Sequence, residues 1–228
     1  MKISLFIVCL ISAMAQKVLA QQNIPDFDHS LLLETKSDTT ANVSFGDFDG
    51  DGHLDILLVK GRHWPIVDRV LLGDGKGGIR KAYNLGAIAD RSYTGGLADF
   101  NGDGLPDIVT IDEFKGVNLY FGQKDQTFSA GISLADSKIV PYALAIADLN
   151  NDKKMDIIVG HIEAPSTVFL NDGTGRNFKS ISFGDSKGTV YGFAVGDFNE
   201  DGIPDIAAAR SDAPNVLYFG NIKSKSRQ

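Results

Sequence analysis

A nine-residue, carboxylate-rich loop occurs four times in this chain at a nearly constant interval, which restricts it to a small set of repeat architectures. From Asp47 the sequence reads D-F-D-G-D-G-H-L-D, from Asp99 D-F-N-G-D-G-L-P-D, from Asp148 D-L-N-N-D-K-K-M-D, and from Asp197 D-F-N-E-D-G-I-P-D. The starts lie 52, 49 and 49 residues apart. The flanks repeat as well. A short apolar segment precedes each loop, as at residues 143–147, and a strand-like run follows at 56–59, 108–111, 157–159 and 206–209. A second run comes at 70–72, 119–121, 168–170 and 216–219, then a Gly/Asn/Asp turn and a segment anchored by Ile79, Phe128 or Phe178. Each unit therefore predicts four short antiparallel strands joined by turns. No segment sustains a helical period.

Four-stranded units at this interval predict an all-β fold, a β-propeller of four blades. The anchors Ile79, Phe128 and Phe178 lie 20, 20 and 19 residues ahead of the next loop, and Phe27 lies 20 ahead of Asp47. Residues 27–34 are thus expected to be a fourth strand that completes the last blade and closes the ring, removing an exposed edge. A closed monomer is the expectation. An oligomeric ring, in which that strand serves another copy, is the alternative.

Lys2, an apolar stretch at 3–14 and the small-residue ending Val18-Leu19-Ala20 read as a secretory signal peptide over residues 1–20. The propeller is expected over 21–222, with a polar tail at 223–228. The stretch is too short for a membrane span, and Cys9, the only cysteine, lies inside it, so no disulfide or thiolate site is expected. The formal charge of −7 becomes −9 once Lys2 and Lys17 leave with the leader. That sign disfavours nucleic acid and anionic membrane surfaces as partners. The predicted compartment is secreted or extracytoplasmic.

Side-chain oxygens at loop positions 1, 3, 5 and 9 and a backbone carbonyl at position 7 can wrap a hard cation, and an all-oxygen set favours calcium over zinc or copper. The candidate ligands are Asp47, Asp49, Asp51, the His53 carbonyl and Asp55; then Asp99, Asn101, Asp103, the Leu105 carbonyl and Asp107. The third loop offers Asp148, Asn150, Asp152, the Lys154 carbonyl and Asp156, and the fourth Asp197, Asn199, Asp201, the Ile203 carbonyl and Asp205. Glycine at position 6 (Gly52, Gly104, Gly202) suits the left-handed backbone of a tight loop. The third loop has Lys153 there, with Lys154 beside it, and is expected to bind most weakly. A single copy would read equally as a hairpin turn; four in register favour the ion.

The repeated D-x-[DN]-x-D-G-x-x-D loop, preceded by Tyr93-Thr94-Gly95-Gly96-Leu97-Ala98 and followed by Leu71-Leu72-Gly73-Asp74-Gly75-Lys76-Gly77, resembles the FG-GAP (VCBS) repeats of integrin-alpha-type propellers. The resemblance covers about residues 27–220. It implies calcium held in hairpin loops on one face and ligand recognition on the other. It departs from that family in its degenerate third loop and in a blade number below seven.

On the face opposite the loops, Tyr93, Tyr142 and Tyr191 each stand six residues before a first ligand aspartate, with Ala41 at the same place in the first unit. The second strands end at Lys60, Asp112, His161 and Arg210. Arg62, His63, Glu113, Glu163 and Asp212 lie nearby. The longer connection Gly61-Arg62-His63-Trp64-Pro65 holds the only tryptophan. Candidate ligand-binding residues are His63, Trp64, Arg91, Tyr93, Tyr142, Tyr191, His161 and Arg210, a tyrosine-lined, mixed-charge mouth suited to a carbohydrate or protein ligand. Packing anchors beneath each blade are the competing reading for the tyrosines.

Gly73-Asp74-Gly75-Lys76-Gly77-Gly78 fits G-x-G-x-x-G but opens no helix, so a hairpin turn is expected there and not a dinucleotide site. H-E-x-x-H and G-x-S-x-G are absent. An exported, calcium-binding adhesion or binding module is the leading reading. The alternatives are a polysaccharide-acting enzyme using His63, His161, Glu113 or Glu163 in the mouth, and a purely structural surface protein.

Overall fold

The computed structural model describes residues 26–134 and 139–221. The expected leader at 1–20, Cys9, the opening of the 21–222 domain and the tail at 223–228 lie outside the described residues. The chain divides between Thr35 and Lys36 into two units, and the second holds every strand among the described residues.

Among the described residues fifteen strands form four antiparallel sheets, each a meander in sequence order. Sheet 1 comprises β1 (Thr40–Gly46), β2 (Asp55–Lys60), β3 (Ile66–Gly73) and β4 (Ile79–Asp90). Sheet 2 comprises β5 (Ser92–Ala98), β6 (Asp107–Asp112), β7 (Gly116–Tyr120) and β8 (Ile132–Ser133). In sheet 3 are β9 (Pro141–Ala147), β10 (Asp156–His161), β11 (Ser166–Asn171) and β12 (Phe178–Phe183); in sheet 4, β13 (Thr189–Gly196), β14 (Asp205–Ser211) and β15 (Val216–Tyr218). Every carboxylate-rich loop joins the first and second strands of its sheet, as the repeat predicts.

Continuous apolar runs make the second strands of sheets 1 to 3 because those strands are buried on both faces. Leu57, Val59, Ile108, Val109, Ile111, Ile157, Ile158 and Val159 are all fully buried. The outer strands β4 and β12 are mostly exposed instead, with partly buried ends. Between sheets, Leu97 of β5 packs on Phe48, Leu57 and Val59 of the first unit. Leu144 and Ile146 of β9 pack on Phe100, Val109 and Ile111. Phe193 and Val195 of β13 pack against Ile158. Each first strand therefore plugs into the face of the sheet before it.

Two strand expectations change. Residues 27–34 form no strand, sheet 4 has three strands, and Phe27 and Leu32 are 88% and 86% exposed. The segment reads F-D-H-S-L-L-L-E, which has no period-two alternation and so no single apolar face to lay on a sheet. Phe128, expected to anchor a fourth strand, forms only an isolated bridge with Gly122, and β8 is two residues long.

Candidate functional site

The four loops share one internal network. Each position-1 aspartate accepts two backbone N–H bonds from further along its loop: Asp47 from Asp51 (3.0 Å) and Gly52 (2.9 Å), Asp148 from Asp152 (3.0 Å) and Lys153 (2.8 Å), Asp197 from Asp201 (3.0 Å) and Gly202 (2.8 Å). Asp99 accepts from Gly102 at 2.7 Å and Gly104 at 2.9 Å. Position 5 accepts from the N–H of position 7, as in Asp51 with His53 (2.9 Å) and Asp103 with Leu105 (2.8 Å). These bonds turn the carboxylates inward.

The backbone is left-handed at position 4 as well as position 6. Gly50, Gly102, Asn151 and Glu200 have φ of 73°, 73°, 58° and 59°, and Lys153 has 67° where the other loops have glycine. Sequence reasoning found position 6 but not position 4, because asparagine and glutamate there mask the conformational demand.

The position-9 aspartates do a second job that the motif conceals. Asp55, Asp107, Asp156 and Asp205 are buried, and each carboxylate accepts one N–H from the start of its loop and one from the end of the third strand. For Asp107 the donors are Phe100 (2.8 Å) and Gly122 (3.0 Å); for Asp156, Leu149 (3.0 Å) and Asn171 (2.9 Å). Burial pushes Asp107 up to about 6 and raises Asp55 and Asp156 in the same direction. A bound cation would oppose that shift and hold the carboxylates ionised.

In the first loop, ligand oxygens of Asp47, Asp49 and Asp55 lie within 4.8 Å of one another. The Arg80 guanidinium contacts Asp49 and donates to Asp51 at 2.9 Å. The donor set is all oxygen and so suits a hard cation, but Arg80 shares Asp49 and Asp51 and would compete with an ion for them. The third loop holds its own cation: Lys154 Nζ lies 3.7 Å from Asp152 and donates to the Asp172 carbonyl at 2.9 Å.

A cavity of about 310 Å3 is lined by the first strands of all four sheets. Ala41, Tyr93, Tyr142 and Tyr191 meet there, as their common register predicts. Tyr142 lies tilted at 5.1 Å from Tyr93 and edge-on at 4.9 Å from Tyr191, so the three rings form a continuous row, or ladder. Arg62 reaches over it and donates to the Tyr142 hydroxyl at 2.9 Å. Tyr93 also packs on the core between sheets 2 and 3, and burial raises its pKa. Tyr191, at the open end, is 59% exposed.

The other candidates are placed elsewhere. Trp64 is 68% exposed and His63 is exposed, neither lining this cavity. Arg91 pairs with Glu113 at 3.1 Å and lies over the Phe114 ring. His161 is buried with Nδ1 2.8 Å from the Pro165 carbonyl, and burial lowers its pKa. Arg210 is bonded to Asp185 (2.6 Å) and to the Pro214 carbonyl (2.7 Å). Lys60 and Asp112, which share that register, are buried; Lys60 pairs with Asp38, and Asp112 accepts from the N–H groups of Arg91, Phe114 and Lys115. Arg62 is the residue the structure adds to the mouth, and its signal was its place in the long connection that also holds Trp64.

Repeated four-stranded meanders, each first strand plugged into the sheet before it, define a β-propeller-like repeat protein. Residues 99–159 and 148–208 match the family model of the FG-GAP-like repeat, and the chain is an FG-GAP repeat protein. No curated protein sequence matches it. Among solved structures, BBS1N in complex with ARL6DN, from a crystal soaked with lead, is similar at 13% identity with a TM-score of 0.56 over 84% of this chain. The V. cholerae biofilm matrix protein Bap1 is 19% identical over 85% of this chain, with a TM-score of 0.47. The chain spans 56% of the BBS1N chain and 33% of the Bap1 chain. At these identities the BBS1N likeness is one of fold alone.

Proposed function

We propose that this protein is an exported, calcium-braced propeller module that binds a carbohydrate or protein ligand at its tyrosine-lined mouth. The observation that carries the reading is the ladder of Tyr93, Tyr142 and Tyr191 under Arg62. Tyr93 packs on the core as a repeat anchor would, whereas Tyr142 and Tyr191 meet it ring to ring around an open cavity. Aromatic faces with a guanidinium and hydroxyls suit sugar rings and peptide groups alike. BBS1N, which shares the fold, was crystallised with a protein partner, ARL6DN; that supports the protein arm of the reading.

Calcium belongs to the opposite face. Asp47, Asp49, Asp51, the His53 carbonyl and Asp55 would hold one ion, and the sets beginning at Asp99 and Asp197 would hold two more. The set at Asp148 is the weakest, with Lys154 competing for Asp152. An ion in each loop neutralises clustered carboxylates, so calcium stabilises the fold by mass action. The melting temperature is expected to rise in millimolar calcium and fall in EDTA. An unchanged melt together with no calorimetric binding would refute the metal assignment. On glycan and peptide arrays the wild type is expected to retain a ligand that Tyr142→Ala loses. Retention undiminished by that change would move the site away from the mouth.

A further inference from the structure

The two end sheets leave complementary faces uncovered. At each internal junction, the residues four and two before the first loop aspartate plug into the preceding sheet: Gly95 and Leu97, Leu144 and Ile146, Phe193 and Val195. The same positions in β1 are Val43 and Phe45, and they are 54% and 69% exposed. On the receiving side, Phe48 and Phe100 are 2% and 1% exposed beneath the next sheet, whereas their counterpart Phe198 is 73% exposed. Beside it, β13, β14 and β15 line an apolar groove of about 590 Å3 that includes Ala194, Ala207, Ala209 and Leu217.

Size matching at the first and third junctions says what fits this groove; at the second, Leu144 and Ile146 meet Val109 and Ile111, large against large. At the first junction the plug is small and the socket large: a Cβ on Gly95 would lie 3.0 Å from Val59 and 3.1 Å from Leu57. At the third the relation is reversed, with Phe193 filling space at Gly160, whose Cβ would lie 3.1 Å from the Phe193 ring. The uncovered socket is small, with Ala207 and Ala209 where earlier sheets have Leu57 and Val59 or Val109 and Ile111. The uncovered plug is correspondingly large, Val43 and Phe45. The volumes are complementary in the sense used inside the chain.

We infer that the β1 face of one copy docks into the β14–β15 groove of a second copy, repeating between chains the junction made three times within one. Both faces stand open among the described residues, and a second copy of the chain offers a mate for each. Reciprocal docking of two copies satisfies both ends and closes the assembly about a two-fold axis. The inference uses neither the calcium sites nor the mouth.

Light scattering on the full chain is expected to give twice the chain mass at micromolar concentration, and Phe45→Asp is expected to give a single-chain mass. Phe45 is mostly exposed within its own chain, so that variant should keep the wild-type circular dichroism, with a melt lowered only by loss of the partner. In a Cys9→Ser background, Val43→Cys and Ala209→Cys are then purified separately and oxidised. A two-chain disulfide species is expected only on mixing them. A single-chain mass for the wild type overturns the inference, as does a two-chain mass for Phe45→Asp or the absence of a mixed disulfide. An intrachain bond in the chain carrying both cysteines would give the groove to its own β1 and overturn it equally.

Discussion

Asn171 offers a direct test of how the degenerate third loop is held. In sheets 1, 2 and 4 the residue at this place is Gly73, Gly122 or Gly220, where a Cβ would meet a backbone carbonyl at 2.2 to 2.3 Å. Sheet 3 has Asn171, 3% exposed and bonded on every side. Its Nδ2 donates to the Phe100 carbonyl in the neighbouring loop (2.7 Å) and to the Met155 carbonyl in its own (3.2 Å). Its Oδ1 accepts from Gly173 (2.9 Å) and Gly175 (3.2 Å). Asn171→Ala removes all four bonds. At about 0.5–1.5 kcal/mol net for each the loss is about 2–6 kcal/mol, and the two longer bonds place it in the lower half, about 2–4 kcal/mol. None of the four involves a proposed calcium ligand oxygen, so the loss read from urea unfolding should be the same in calcium and in EDTA. Asn171→Asp keeps the shape and the acceptor but removes the donor and buries a charge, so it should lose at least as much above pH 6. A loss below about 1 kcal/mol for Asn171→Ala would refute the brace. A loss seen only in calcium would mean that it acts through the ion.

Two further perturbations test separate parts of the fold. Asp68, 5% exposed, accepts from the Lys60 N–H at 2.6 Å and from the Ser92 hydroxyl at 2.9 Å, and burial pushes it up to about 7. Its folded pKa is raised, so its ionisation erodes stability as pH climbs from about 4 to 7, by at most about 4 kcal/mol in all. Asp68→Asn keeps an acceptor for Lys60, and Ser92 can rotate to accept; it should flatten that slope and be more stable than wild type at pH 8 by thermal unfolding. An unchanged slope would show that burial does not govern this carboxyl. Lys153→Gly relieves the left-handed strain at φ 67° and should stabilise the protein by about 0.5–1 kcal/mol. Calorimetry on that variant should also show tighter calcium binding, and a destabilised variant would refute the strain argument.

The strand order and the loops were legible because both are carried by residues that recur. Period and loop chemistry place Ile157 or Asp107 in a sheet without any knowledge of the neighbouring sheet. What depends on contacts between sheets was not legible. The motif shows aspartate at position 9 as one ligand among five, whereas the structure makes it the bond that ties each loop to the third strand. The shared register of Tyr93, Tyr142 and Tyr191 brought the mouth within reach of sequence reasoning. It gave no notice that Arg62 joins them, or that Lys60, Asp112 and His161, which share a register of their own, are held by buried bonds. A repeated position guarantees the same backbone placement, not the same employment.

The same reasoning explains why closure was misread. Counting back 20 residues from Asp47 lands on Phe27, but spacing carries no energy unless the segment has a face to bury. The end sheets do carry such faces, and they lie across the strands: Val43 and Phe45 at one end, Ala207 and Ala209 at the other. The socket pair is smaller than its counterparts in sheets 1 and 2, and the plug pair has the same residue types as Phe193 and Val195, the plug that meets the small position Gly160. Independent drift would give no relation between a plug and a socket about 160 residues apart in sequence. A large plug set against a small socket is what packing density asks of two surfaces that touch, and the proposed docking rests on that match where the N-terminal spacing offers no face at all.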